Sequence, residues 1–290
     1  MSAQVHVVGY FSIDRIDAGG AVVDGVPGGA ALYAALAANA AGASVVLHAN
    51  AGEDFRDEWL AQLAARGIDL SGVARAQGPT RRARLDYHAD DRRVSGHHGE
   101  AAWWERTRDL APTPPKAPAA ADVVALMAVP GAVADAALAA AGRASARVTM
   151  DTSAAFAGRE RNGLLARAAA VHAFAPSVEE TRLLLPGLGD DDAALRLAGA
   201  GCNVLHKRGP EGAFAVRARA AAGTRLPAPR AEPRDPTGAG DSVVGALAAG
   251  IAAGDDFVAA AGAALAYGAR CVGGLGPAAF GFDFGGSPSP

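Results

Sequence analysis

Short β-branched runs alternate with alanine-rich stretches of helical length along most of this 290-residue chain, and no other feature restricts the fold as much. Val5-His6-Val7-Val8, residues 44–49, 123–127, 147–150 and 171–174, and Asn203-Val204-Leu205-His206 read as buried strands. Residues 30–41, 57–66, 132–141 and 163–169 read as helices, with Gly42 and Gly67 as stop signals. Strand, helix and strand repeated in this way predict an α/β fold: a mostly parallel central sheet with helices on both faces. Half of the residues are hydrophobic, enough for one large core, so a single domain over 1–290 is expected.

Charge and cysteine content narrow the partners. Lys plus Arg number 27 against 30 Asp plus Glu, and a net charge of −3 makes no electrostatic case for nucleic acid. Cys202 and Cys271 are too few for a secreted disulfide framework. The N-terminus lacks the basic and long apolar regions of a signal peptide, and the alanine run at 30–41, which holds Tyr33 and Asn39, is too short to cross a bilayer. We expect a cytoplasmic protein with a small-molecule partner, no nucleic acid and no membrane.

Chemistry concentrates late in the chain, at Asp235-Pro236-Thr237-Gly238-Ala239-Gly240-Asp241. Pro236 makes the first half a turn, and the apolar run 242–247 opens a buried helix, which sets Asp241 at a helix mouth. Gly238 and Gly240 permit positive φ and leave room for an anion against the backbone. The unpaired N–H groups and positive dipole end of a helix start can hold a phosphoryl group, and a carboxylate there can take a proton from an attacking hydroxyl. The same residues read equally well as an ordinary glycine loop closed by an N-cap aspartate. No Walker loop is present. A nicotinamide site on Gly238-x-Gly240 lacks its third glycine, and Pro233 and Pro236 interrupt the strand it needs.

This heptapeptide, with Gly28-Gly29 near the N-terminus, resembles the paired signatures of the ribokinase-like (PfkB) carbohydrate and nucleoside kinases. The likeness runs from Gly9 to about Pro277. It implies a three-layer ribokinase-like fold with a small β-lid formed from about 18–27 and 80–98, where Arg81, Arg82, Arg84, Asp86 and His88 alternate with smaller or apolar neighbours. It also implies an ATP-dependent phosphotransferase acting on a primary hydroxyl of a sugar or nucleoside. The other reading it leaves open is a catalytically silent sugar- or nucleoside-binding relative.

Carried onto this chain, the resemblance makes Asp241 the general base, with Gly238, Ala239 and Gly240 shaping an anion hole around the N–H groups of 239–241. Asp14, Gly28 and Gly29 bind the acceptor, and Tyr33 stands where many members have asparagine. An Asn-x-x-Glu element is matched by Glu180, which holds Mg²⁺ through water, while Ser177 replaces the asparagine. Lys207, Gly209, Gly212 and Thr237 belong with the nucleotide phosphates, and Asp235 with a monovalent cation, K⁺. Read without the resemblance, Asp14 is a turn aspartate, Glu180 a first-turn acid and Lys207 a surface lysine beside a β-turn.

Other expectations are structural. Adjacent His97 and His98 point to opposite faces of a strand, which argues against a metal pair. The exposed edge of the lid predicts a homodimer through it. Trp103-Trp104 and the proline-rich 112–118 read as a return segment, 255–271 as a helix or helix pair, and 281–290 as a frayed tail.

Overall fold

The computed structural model of the protein describes residues 3–18, 21–87, 93–96 and 100–285. The chain runs β1 (Gln4–Val8), β2 (Ser12–Ala18), β3 (Ala21–Gly28), α1 (Ala30–Ala40), β4 (Ser44–Ala51), α2 (Asp57–Ala65) and β5 (Asp69–Arg75). It continues through β6 (Arg82–Tyr87), β7 (Arg93–Gly96), α3 (Glu100–Asp109), β8 (Val123–Leu126), α4 (Gly131–Ala144), β9 (Arg147–Met150), α5 (Ala154–Arg159), α6 (Arg161–Ala168) and β10 (Ala173–Phe174). The last third holds α7 (Val178–Leu184), α8 (Asp190–Gly199), β11 (Asn203–Lys207), β12 (Ala213–Val216), β13 (Thr224–Leu226), α9 (Ala239–Ala253) and α10 (Phe257–Val272).

Nine strands form one sheet in the order β13-β12-β11-β10-β9-β8-β1-β4-β5. Every pairing from β11 to β5 is parallel, and β12 and β13 close one edge as antiparallel additions. Alternate residues of the central strands feed opposite cores. Val5, Val7, Val123 and Ala125 pack with α1, α2, α9 and α10 on one face, while Val8, Val124 and Leu126 pack with α4 to α8 on the other. Three layers follow from this pleat. Helices α1 and α9 lie close because Gly245 presents no side chain to α1, where an added Cβ would meet the Ala34 carbonyl oxygen at 2.1 Å.

A second sheet, ordered β3-β2-β6-β7, packs Ile13, Ile16, Val23, Val26 and Leu85 into the core shared with α1 and α9. It includes Ser12–Ala18, so Asp14 does not lie in a loop just past a central strand but inside a strand of the second sheet. A register shift between Asp14 and Ile16 breaks the two-residue period and brings both Ile13 and Ile16 inside, which hides the strand from pattern reading. β6 and β7 pair antiparallel, Arg84 opposite Gly96. His88, Asp90, Asp91, Arg92, His97 and His98 lie outside the described residues.

Two further expectations are corrected, and a third is narrowed to one of its alternatives. The tryptophan pair sits on a helix, α3, where Trp103 is buried and packs edge-on against Trp104, which in turn meets Phe156 at 5.3 Å between ring centroids. α10 is one helix. The segment 281–285 is packed rather than frayed: Phe282 and Phe284 enter the core, and Gln62 exchanges two hydrogen bonds with the Asp283 backbone. Residues 286–290 lie outside the described chain. Among the described residues no helix is long and apolar enough to cross a membrane.

Candidate active site

The late heptapeptide folds as a turn feeding α9. Gly238 is the N-cap, at φ 76°, and Asp241 is the third helical residue, so the N-cap reading of Asp241 does not hold. Gly238 is required twice over. Its φ is left-handed, and a Cβ there would sit 2.2 to 2.4 Å from ring atoms of Tyr33. The Ala239 N–H donates to the Pro236 carbonyl at 3.2 Å, which takes it out of the anion-hole donor set expected from sequence. The N–H groups of Gly240 and Asp241 belong to the first turn, where a helix supplies no acceptor of its own. Asp241 is half-buried.

Lys207, the last residue of β11, reaches that helix mouth. A Cβ on Gly240 would lie 3.3 Å from its Nζ. The lysine is 12% exposed and its ammonium donates to both oxygens of Asp151, at 2.9 and 2.8 Å. Burial works against the charge, but Asp151 and then Glu180 outweigh it and hold the ammonium above the usual lysine range. It is therefore not a surface lysine. Asp151 stands just past the end of β9 and was not singled out from the sequence; an acid at the carboxyl end of a central strand was the available signal.

Ser177 and Glu180 form a reciprocal capping box at the start of α7. The Ser177 N–H donates to Glu180 Oε2 at 2.7 Å, and the Glu180 N–H donates to Ser177 Oγ at 3.3 Å. Burial pushes the Glu180 carboxyl up to about 7 against the pull of Lys207, with Asp151 adding to the rise. The serine thus keeps the helix capped. Gly209 and Gly212 bracket the turn between β11 and β12, closed by the Arg208 N–H donating to the Gly212 carbonyl at 2.8 Å.

On the other side of the heptapeptide lies a second group of polar atoms. Asp14 is 3% exposed and its Oδ1 has no partner among the described residues. Burial pushes its carboxyl up to about 7, moderated by the Ser12 hydroxyl and the Arg81 charge. Gly28 gives it space, because a Cβ there would overlap Asp14 Oδ2 at 2.1 Å. Gly29 caps α1 at φ 93°. Arg81 is held between the rings of Tyr10 and Trp103, at 4.2 and 4.3 Å.

Tyr33 lies beneath Gly238 in the apolar core, 1% exposed, with its hydroxyl unpartnered among the described residues. Burial drives that phenol well above its ordinary range, and Cys271, Asp235 and Asp14 add to the effect. Asp235 accepts from the Thr237 and Gly276 N–H groups at 2.9 and 2.7 Å. The Thr237 hydroxyl bonds Tyr87 Oη of the second sheet at 2.9 Å. One loop thereby joins the acidic and lysine cluster to the second sheet.

The pattern of the pfkB family carbohydrate kinases matches residues 3–280. The chain belongs to that family. Nucleoside kinase from Burkholderia thailandensis, solved in complex with ADP-inosine, is 18% identical and superposes with a TM-score of 0.75 over 99% of this chain and 98% of its own. Ribokinase from Cryptococcus neoformans var. grubii serotype A, solved with ADP, is 20% identical with a TM-score of 0.73 over 95% of each chain. The cytidine kinase of Thermococcus kodakarensis is 40% identical over 88 residues, a match that spans 29% of this chain and 30% of that protein. The pfkB chain therefore has the ribokinase-like fold.

Proposed function

We propose that this pfkB chain is an ATP-dependent kinase that transfers a phosphoryl group to a primary hydroxyl of a sugar or nucleoside. The observation that carries the reading is the meeting, at the first turn of α9, of the Asp241 carboxylate, the helix N–H groups and the Lys207 ammonium. In this reading Asp241 takes the proton of the attacking hydroxyl. The Gly240 and Asp241 N–H groups and Lys207 hold the charge on the transferring group. Asp14, Gly28 and Gly29 receive the acceptor, and Gly209 and Gly212 make room for nucleotide beside Lys207.

The residues fit the ions that the family implies. Glu180 is a buried carboxylate beside Lys207, held in place by the Ser177 N–H. Such a site suits a magnesium that keeps its waters and takes phosphate oxygens. When bound, Mg²⁺ supplies positive charge to the phosphates. Asp235 is 1% exposed and pairs with no cationic side chain among the described residues, which supports a monovalent cation, K⁺, beside it. A homodimer through the β7 edge and a cytoplasmic location complete the proposal; two buried free cysteines support the latter.

The nucleoside and ribose kinases among its relatives support both acceptor classes, so the test is ADP release across a panel of each, with and without K⁺. Asp241→Asn should lower turnover roughly a thousandfold with the best acceptor. Wild-type turnover in that variant would remove Asp241 as the base. Ser177 in place of asparagine favours a second reading, a silent binding relative, which predicts acceptor binding with no ADP formed.

A further inference from the structure

We infer that Asp151 is a positioning residue for phosphoryl transfer, holding the Lys207 ammonium at the mouth of α9; the inference rests on the kinase reading above. Lysine is a flexible four-carbon stem carrying a point charge, and it stays in one place only if something holds the head. Here both carboxylate oxygens of Asp151 do so, at 2.8 and 2.9 Å. Asp151 is itself tied to the sheet: its N–H donates to the Leu126 carbonyl at 2.8 Å and its Oδ1 accepts from the Thr152 N–H at 2.9 Å. The ammonium is thus fixed relative to β8 and β9, not to a loop.

The helix dipole alone does not favour the placement. A cation beside the first turn of a helix meets the positive end of the dipole, the unfavourable end for it. Two other carboxylates, Glu180 and Asp241, also act on the lysine by charge, while the hydrogen bonds its ammonium makes among the described residues go to Asp151. Asp151 selects one position among three acidic neighbours, next to Gly240, where transferred charge would gather. By charge alone Asp151 opposes phosphate binding, because it cancels much of the lysine's field. Positioning and net charge therefore predict opposite consequences when the carboxylate is removed.

The experiment compares Asp151→Asn, Lys207→Met and the double variant in ADP release with the best acceptor, alongside thermal unfolding. Asp151→Asn should lower kcat roughly tenfold to a hundredfold while the KM for ATP stays level or falls. The double variant should be no slower than Lys207→Met alone, since Asp151 acts through the lysine. Asp151→Glu, which keeps a carboxylate and guards against a misfolded Asn variant, should recover part of the rate. The inference is overturned by multiplicative losses in the double variant or by a raised KM for ATP at unchanged kcat. A wild-type protein that releases no ADP with any acceptor overturns the kinase reading and this inference with it.

Discussion

Substituting Gly238 by alanine tests the packing of the central loop in a way that separates two costs. The left-handed φ of 76° costs an alanine about 1–2 kcal/mol. The new Cβ must also displace the Tyr33 ring, which it would otherwise approach to 2.2 Å, and overpacking of this kind costs about 1–3 kcal/mol. Together they predict a loss of about 2–5 kcal/mol. At about 2 °C per kcal/mol for a chain of this size, the melting temperature should fall by about 4–10 °C. Tyr33→Ala removes the ring but not the backbone strain, so in that background the glycine substitution should cost only the first part. Urea unfolding of the two single variants and the double, followed by circular dichroism, gives the coupling directly. A coupling of at least about 1 kcal/mol is expected, whereas additivity within about 0.5 kcal/mol would show that the ring does not press on the loop.

Tyr33→Phe deletes a buried hydroxyl with no partner among the described residues, so it should leave stability level or raise it by about 1–3 kcal/mol; a rise in acceptor KM in the same variant would show that the hydroxyl meets the acceptor. His48, at the end of the His48–His6–Asp122 chain, is pushed down to about 4 by burial and by His6. It binds protons less readily folded than unfolded, so it withdraws stability as pH falls from about 6.5 to 4. The stability advantage of wild type over His48→Gln should narrow across that window by up to about 3 kcal/mol, and a constant difference would refute the assignment. Tyr87→Phe removes the Thr237 bond that ties the lid to the heptapeptide, and it should raise ATP hydrolysis without acceptor relative to transfer; an unchanged ratio would mean the bond does not hold the lid.

What the sequence made legible follows from how local each signal is. The parallel sheet, the glycine pair and the turn into α9 rest on contiguous residues, and each was readable where it stood. β2 was hidden because the shift between Asp14 and Ile16 breaks the period that marks a strand. α3 was obscured by polar Glu105, Arg106 and Arg108 beside two bulky indoles, and only tertiary packing on Phe156 explains it. Asp151 carries only the faint mark of an acid at a strand end; its importance comes from Lys207, 56 residues later in sequence. Thr237 and Tyr87 are separated by 150 positions, so their bond had no signature either.

The four-stranded sheet is assembled from two excursions, one between β1 and α1 and the other between β5 and α3, with β2 and β6 lying side by side as its spine. Anyone who wished to transplant acceptor preference between relatives would have to exchange both excursions at once. Replacing a single one would leave half of a donor's hydrogen-bond ladder facing an unmatched host strand, with Asp14 and Arg81 drawn from different parents.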